Sequence, residues 1–171
     1  MELAPLNSHS ADSGRREMLL EHLFIGDLLR YLWRTRDCNV EVLRSQVDNA
    51  GYDVVLECGG IIRHVQFKSS HREAKTREVG INIALAAKPS GCVIWIMFDQ
   101  MTVELGPYLW FGCEPGKPLP PLGDRIGKHS KGNSEGYKAE RPNMRQIRWS
   151  QFEVLQTMED VAGALFGKQT A

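Results

Sequence analysis

Apolar residues recur at spacings of three and four from about Ser13 onward. Leu20, Leu23, Phe24, Leu28, Tyr31 and Leu32 mark one face of a helix. Asp12 or Ser13 suits its N-cap, and the pattern stops near Arg36, before Asp37. The period then shortens. Val40–Val47 opens with alternation at Val40 and Val42 before turning polar, and Tyr52–Cys58 and Ile61–Ser69 are β-rich runs on either side of Gly59-Gly60. A glycine pair between two such runs predicts a tight hairpin, because a type I′ turn needs positive φ at both central residues. His71–Glu78 is charged and reads as a loop or an exposed helix start. Val79–Lys88 fits a short helix, although Ile81 and Ile83 leave a strand open. After the Pro89-Ser90-Gly91 break, Cys92–Phe98 is a continuous apolar run, the mark of a buried strand. Met101–Leu105 is its candidate partner, and Leu109–Gly112 ends that region. Residues 113–123 hold four prolines and must be a loop. Met158–Phe166 reads as a closing helix with Gly167 as its stop.

The mixture of helical and strand periods predicts an α/β (α+β) fold with a mixed sheet. A length of 171 residues suits one domain with a real core. Residues 1–12 are expected to form a mobile tail. Residues 13–171 then make one domain: a core of about 15–112, a charged segment at 124–148 and a C-terminal helix at about 157–167. With 42% hydrophobic and 25% charged residues, the composition is globular. The 21 Lys and Arg cancel the 21 Asp and Glu, which excludes a uniformly basic protein but not a local basic surface. No apolar run reaches the roughly 18–20 residues needed to span a bilayer. No basic leader with an apolar stretch precedes the first helix, so a cytoplasmic location without membrane contact is expected. Cys38, Cys58, Cys92 and Cys113 form no CxxC pair and are expected to be free thiols, mostly buried. No HExxH, GxxxxGK[ST] or G-x-S-x-G pattern occurs, which removes zinc-protease, P-loop and hydrolase-elbow chemistry.

The hairpin carries the chemistry. With two residues in the turn, Cys58 faces Ile61 and Asp53 falls opposite Gln66. Opposed residues share a sheet face, as do alternate ones, so Asp53, Gln66 and Lys68 project together. Lys68 then faces Gly51, which leaves space beside the ammonium. A carboxylate and an amide oxygen suit Mg2+, which usually takes only one or two protein carboxylates, and the Phe67 carbonyl is a further donor. Lys68 is placed to orient a water or to stabilise charge developing at phosphorus. Glu21 shares a helical face with Ile25, Leu28 and Leu32. A carboxylate on an apolar stripe needs a partner, and a metal site is one such partner.

The stretch Glu21 … Gly51-Tyr52-Asp53 … Val65-Gln66-Phe67-Lys68-Ser69-Ser70 resembles the PD-(D/E)XK nuclease superfamily over roughly residues 15–112. The resemblance implies a restriction-endonuclease-like core, a central mixed sheet flanked by helices. It implies Asp53 as principal metal ligand, Gln66 as the second motif ligand, Glu21 as the helix acid and Lys68 as the catalytic lysine. It further implies Mg2+, with Mn2+ as a substitute, and DNA as the substrate. Two positions depart from the family pattern: Tyr52 stands where a proline is usual, and Gln66 replaces the commoner acid.

The segment 124–148 has a net charge of +4, from seven Lys and Arg against three acids. Lys and Arg there interleave with Gly127, Gly132 and Gly136, which reads as a loop. Arg125, Lys128, Lys131, Lys138, Arg141 and Arg145 are candidates to follow a nucleic-acid backbone, with Ser69 and Ser70 as further phosphate contacts. Tyr137 and Trp149 are candidates to stack on bases. The leading expectation is a Mg2+-dependent endonuclease acting on DNA. Two alternatives stay open: an inactive nuclease-like module that binds nucleic acid, and a protein-interaction domain. A homodimer is also left open, since many double-strand schemes need two active sites.

Overall fold

The computed structural model describes residues 13–35, 40–45, 50–128, 136 and 138–167. The expected tail, the Asp12 cap, Cys38, Lys131 and Tyr137 lie outside the described residues. Helix α1 (Ser13–Thr35) is followed by β1 (Val40–Arg44), β2 (Val54–Cys58), β3 (Ile61–His71), β4 (Glu78–Asn82), β5 (Gly91–Phe98) and β6 (Leu105–Gly112). Then come β7 (Ile126–Lys128), β8 (Glu140–Arg148), β9 (Glu153–Leu155) and helix α2 (Met158–Phe166). Six strands form a mixed sheet in the order β1-β2-β3-β5-β6-β9, with β3 and β5 parallel and the other neighbours antiparallel. A second, three-stranded sheet has the order β4-β8-β7. The mixed α/β class read from the sequence is the class observed.

Three layers result. The helices cover one face of the large sheet, where Phe24, Leu28 and Leu32 of α1 and Val161 and Leu165 of α2 meet Val54, Val65, Ile94 and Ile96. The small sheet covers the other face, where Ile81 and Ile147 meet Val93, Trp95 and Leu109. Strand β5 lies between the two cores and is buried along its whole length. That explains its unbroken apolar run: Cys92, Ile94 and Ile96 serve one core, and Val93, Trp95 and Met97 the other.

Four expectations change. Val79–Lys88 is not one helix: Glu78–Asn82 is β4, paired with β8, and only Ile83–Ala87 winds into a short 3-10 turn. Asn82 ends the strand by accepting the Ala84 N–H on its side chain at 3.0 Å. Met101–Leu105 is mainly a turn, because the Asp99 carboxylate accepts the N–H groups of Met101 and Thr102 at 2.9 and 2.8 Å. The strand partner of β5 starts at Leu105. The basic segment is not a loop throughout, since β7 and β8 pair within it. Of the cysteines, Cys92 and Cys113 are free, whereas Cys58 is disulfide-bonded.

Arg63 on β3 is completely buried and ties the helical layer to the sheet. Its guanidinium donates to the carbonyls of Leu165 (2.6 Å), Ala164 (2.7 Å) and Cys113 (2.8 Å). It thus satisfies carbonyls in the last turn of α2 that have no partner within the helix. Among the described residues, no helix is long and apolar enough to cross a membrane.

Candidate active site

The turn behaves as its glycines require. Gly59 and Gly60 have φ of +59° and +81°, and the β2–β3 ladder runs from Cys58↔Ile61 to Val54↔Val65. This is the register a two-residue turn predicts. The ladder then breaks at Asp53. Its N–H donates to the Val65 carbonyl at 2.9 Å, and its Oδ2 accepts the Phe67 N–H at 2.6 Å. The acid therefore takes the position a strand carbonyl would otherwise hold, and Asp53 does not pair with Gln66 as a ladder residue. The Ser45 N–H donates to the Asp53 carbonyl at 3.0 Å, which anchors the other side of the residue to the end of β1.

The connection before Asp53 is fixed by close contact. Gly51 has φ +79°, and a Cβ there would lie 2.7 Å from the Leu85 nitrogen and 3.3 Å from Ala84. The open space expected at Gly51 is thus occupied by the backbone of the 3-10 turn. Tyr52 packs edge-on to His64 at 4.9 Å, with the Lys88 ammonium 5.5 Å from its ring centre.

Beyond Phe67, β3 continues to His71 with β5 as its ladder partner among the described residues, and its other edge is open. A cleft of about 450 Å3 wraps this edge, lined by Glu17, Glu21, Asp53, Gln66, Lys68 and Ser69 among others. The two faces of β3 contribute differently. Gln66, Lys68 and Ser70 are in register with Val93, Trp95 and Met97, so they lie on the small-sheet face, while Val65 and Phe67 pack toward α1. Glu21 enters from α1. The structure therefore brings Glu21, Asp53, Gln66 and Lys68 to one cleft from both sides of a strand edge.

Ser69 lines the cleft, but Ser70 is turned away and accepts the Trp95 indole N–H at 3.0 Å. Gln66 is only 5% exposed, and its Oε1 accepts the Asn82 N–H at 3.4 Å, a long bond that leaves capacity on the oxygen. Glu21 forms an ion pair with Arg44 of β1. Burial raises the Glu21 carboxyl above its usual range; Arg44 opposes that rise, the Asp53 carboxylate adds to it, and His22 opposes it more weakly. Two carboxylates that repel each other, with an amide oxygen between strand and small sheet, form an oxygen donor set that fits a hard divalent cation. Among the described residues no group of three His, Cys, Asp or Glu side chains is placed to hold a metal. Sequence reasoning missed Glu17, one helical turn before Glu21, and it did not pair Arg44 with Glu21. The i,i+4 acids on one helix were visible; the cross-layer ion pair was not.

The basic candidates form a separate group on the small sheet. Arg125, Lys128 and Lys138 line a cavity of about 810 Å3 together with Glu78, Asp124 and Glu140. Arg125 is paired with Glu78 at 2.9 Å, and Arg145 turns back to the carbonyls of Pro142 (2.7 Å) and Met144 (3.2 Å). Lys128 and Arg141 are exposed. Lys131 lies outside the described residues. Trp149 is not a free stacking surface: its ring lies 5.2 Å from Trp95, edge to face, with the Arg77 guanidinium 5.7 Å away.

The fold is a mixed α/β sandwich of two sheets and two helices with an oxygen-rich cleft at a strand edge. No family model matches the chain, and no curated protein does. Among solved structures, it is similar to the bacterial homing endonuclease I-Ssp6803I. The identity is 19% and the TM-score 0.33, over 72% of this chain and 83% of that one.

Proposed function

We propose that the chain is a Mg2+-dependent endonuclease-like protein that hydrolyses phosphodiester bonds of DNA, with Mn2+ able to substitute. The observation that supports this reading is the shared cleft of Glu21, Asp53, Gln66 and Lys68 at the open edge of β3. Asp53, Gln66 and Glu21 would hold the cation, which would supply positive charge against the reacting phosphodiester. Asp53 is oriented for this by the Phe67 N–H on its Oδ2. Lys68 orients a water and donates to a phosphoryl oxygen as charge builds there. The water oxygen bonds to phosphorus as the bond to the 3′-oxygen breaks in line. The water releases a proton to solvent, and the departing oxygen takes one up. Ser69 and the exposed cations Lys128 and Arg141 act on the flanking backbone, with affinity that falls as salt rises. Arg125, Lys138 and Arg145 belong to the same proposed surface, Ser70 does not, and Lys131, outside the described residues, stays a candidate from its charge alone.

A second reading has its own support. Gln66 brings no charge, its oxygen is engaged by Asn82, and Glu21 is held by Arg44. These favour a module that binds nucleic acid without cutting it. Plasmid incubated with Mg2+ or Mn2+ separates the two. Nicking by the wild type that is lost in Asp53→Ala and Lys68→Ala supports the enzyme. Salt-sensitive DNA binding without turnover supports the module, and equal cleavage by all three proteins refutes the assigned residues.

A further inference from the structure

Arg44 forms an ion pair with Glu21, one of the acids of the cleft. It lies at the end of β1, paired in register with Val54, one residue from the Ser45 N–H that anchors Asp53. Its guanidinium pairs with Glu21 Oε1, an atom closed off from solvent. The two partners differ in exposure. The Glu21 side chain is 17% exposed and the Arg44 side chain 42%. Glu21 is fixed in place on α1, whereas Arg44 reaches the surface on a long, flexible stem.

We propose that Arg44 and a divalent cation compete for the same negative charge, and that the guanidinium displaced from Glu21 binds a phosphodiester of the nucleic acid. This rests on the metal reading of the cleft and adds a residue to it. A dication near Glu21 and Asp53 neutralises both carboxylates, which leaves Arg44 as surplus positive charge beside the cation. Repulsion then favours its outward rotamers. A guanidinium presents a planar fork that matches phosphate oxygens, and an arginine freed at the rim of the cleft is placed for that contact. Arg44 is a phosphate-binding and charge-compensating residue in this scheme, not a ligand of the cation.

Calorimetric titration of Mn2+ into the full chain, without DNA, tests the competition. Arg44→Gln is expected to bind Mn2+ about fivefold more tightly than the wild type, the scale of a half-exposed ion pair. Arg44→Lys keeps the charge and is expected to stay near the wild-type value, which controls for damage to β1. Duplex binding in Ca2+ over a salt series tests the second half. Arg44→Gln is expected to lower the slope of log affinity against log salt by about 0.9, the loss of one phosphate contact. Unchanged Mn2+ affinity or an unchanged slope in a folded Arg44→Gln protein overturns the proposal. If none of the proteins binds Mn2+, the metal reading of the cleft fails, and this proposal fails with it. If the wild type binds Mn2+ and the variant matches it, only the role of Arg44 fails.

Discussion

Gly51→Ala should damage the cleft from a residue that carries no chemistry. The new Cβ would sit 2.7 Å from the Leu85 nitrogen, which is backbone and cannot swing aside, and the residue has φ +79°. A left-handed conformation costs a non-glycine residue roughly 1–2 kcal/mol. Forcing a methyl group against packed backbone adds about 1–3 kcal/mol. The sum is about 2–5 kcal/mol, which for a chain of this size lowers Tm by about 4–20 °C. Gly59→Ala is the matched control, with φ +59° and open space where its Cβ would point. It bears the conformational cost alone. Urea denaturation of both variants gives the difference directly, and Gly51→Ala should be the less stable by at least about 1 kcal/mol. Equal destabilisation would mean that the 3-10 turn does not press on Gly51 and that Asp53 is not held in place by that contact.

Arg63→Met removes the three hydrogen bonds to the carbonyls of Cys113, Ala164 and Leu165. Relief of the buried charge offsets part of this, and a net loss of about 2–4 kcal/mol in denaturant unfolding is expected; a loss under about 0.5 kcal/mol would show that α2 does not depend on this arginine. The Asp99 carboxyl is held below its usual range by the Thr102 and Met101 N–H groups and the Thr102 hydroxyl, with solvent exposure retained. A carboxyl depressed in the folded state stabilises above its unfolded pKa and ceases to do so as pH falls through its folded value. Asp99→Ala should therefore melt below the wild type at neutral pH, and the two curves should converge in acid. A gap that stays constant with pH would rule out the carboxylate as its source.

The helices, the β5 run and the hairpin register were legible because each depends on local pattern. Gly59-Gly60 set the pairing from Cys58↔Ile61 to Val54↔Val65 without help from distant residues. What stayed hidden depends on contacts between layers. Ile81 and Ile83 look alike in sequence, yet Ile81 is completely buried in β4 against β8 while Ile83 begins the 3-10 turn. Pairing with a strand more than sixty residues away decides this, and local propensity does not reveal it. The same holds within the site. Asp53 and Gln66 line one cleft, but the break that lets the Asp53 carboxylate take the Phe67 N–H is a tertiary feature. Gly51 read as open space because its occupant, the Leu85 backbone, lies some thirty positions on. Trp149 read as a free aromatic because sequence does not show that Trp95 and Arg77 enclose it.

Anomalous diffraction from crystals soaked in Mn2+ tests the metal reading at the level of atoms. One strong peak is expected in the cleft, roughly 2.0–2.3 Å from an Asp53 carboxylate oxygen and in reach of Glu21 and the Gln66 amide oxygen. A cleft with no peak at saturating Mn2+, with Arg44 still seated on Glu21, would contradict it.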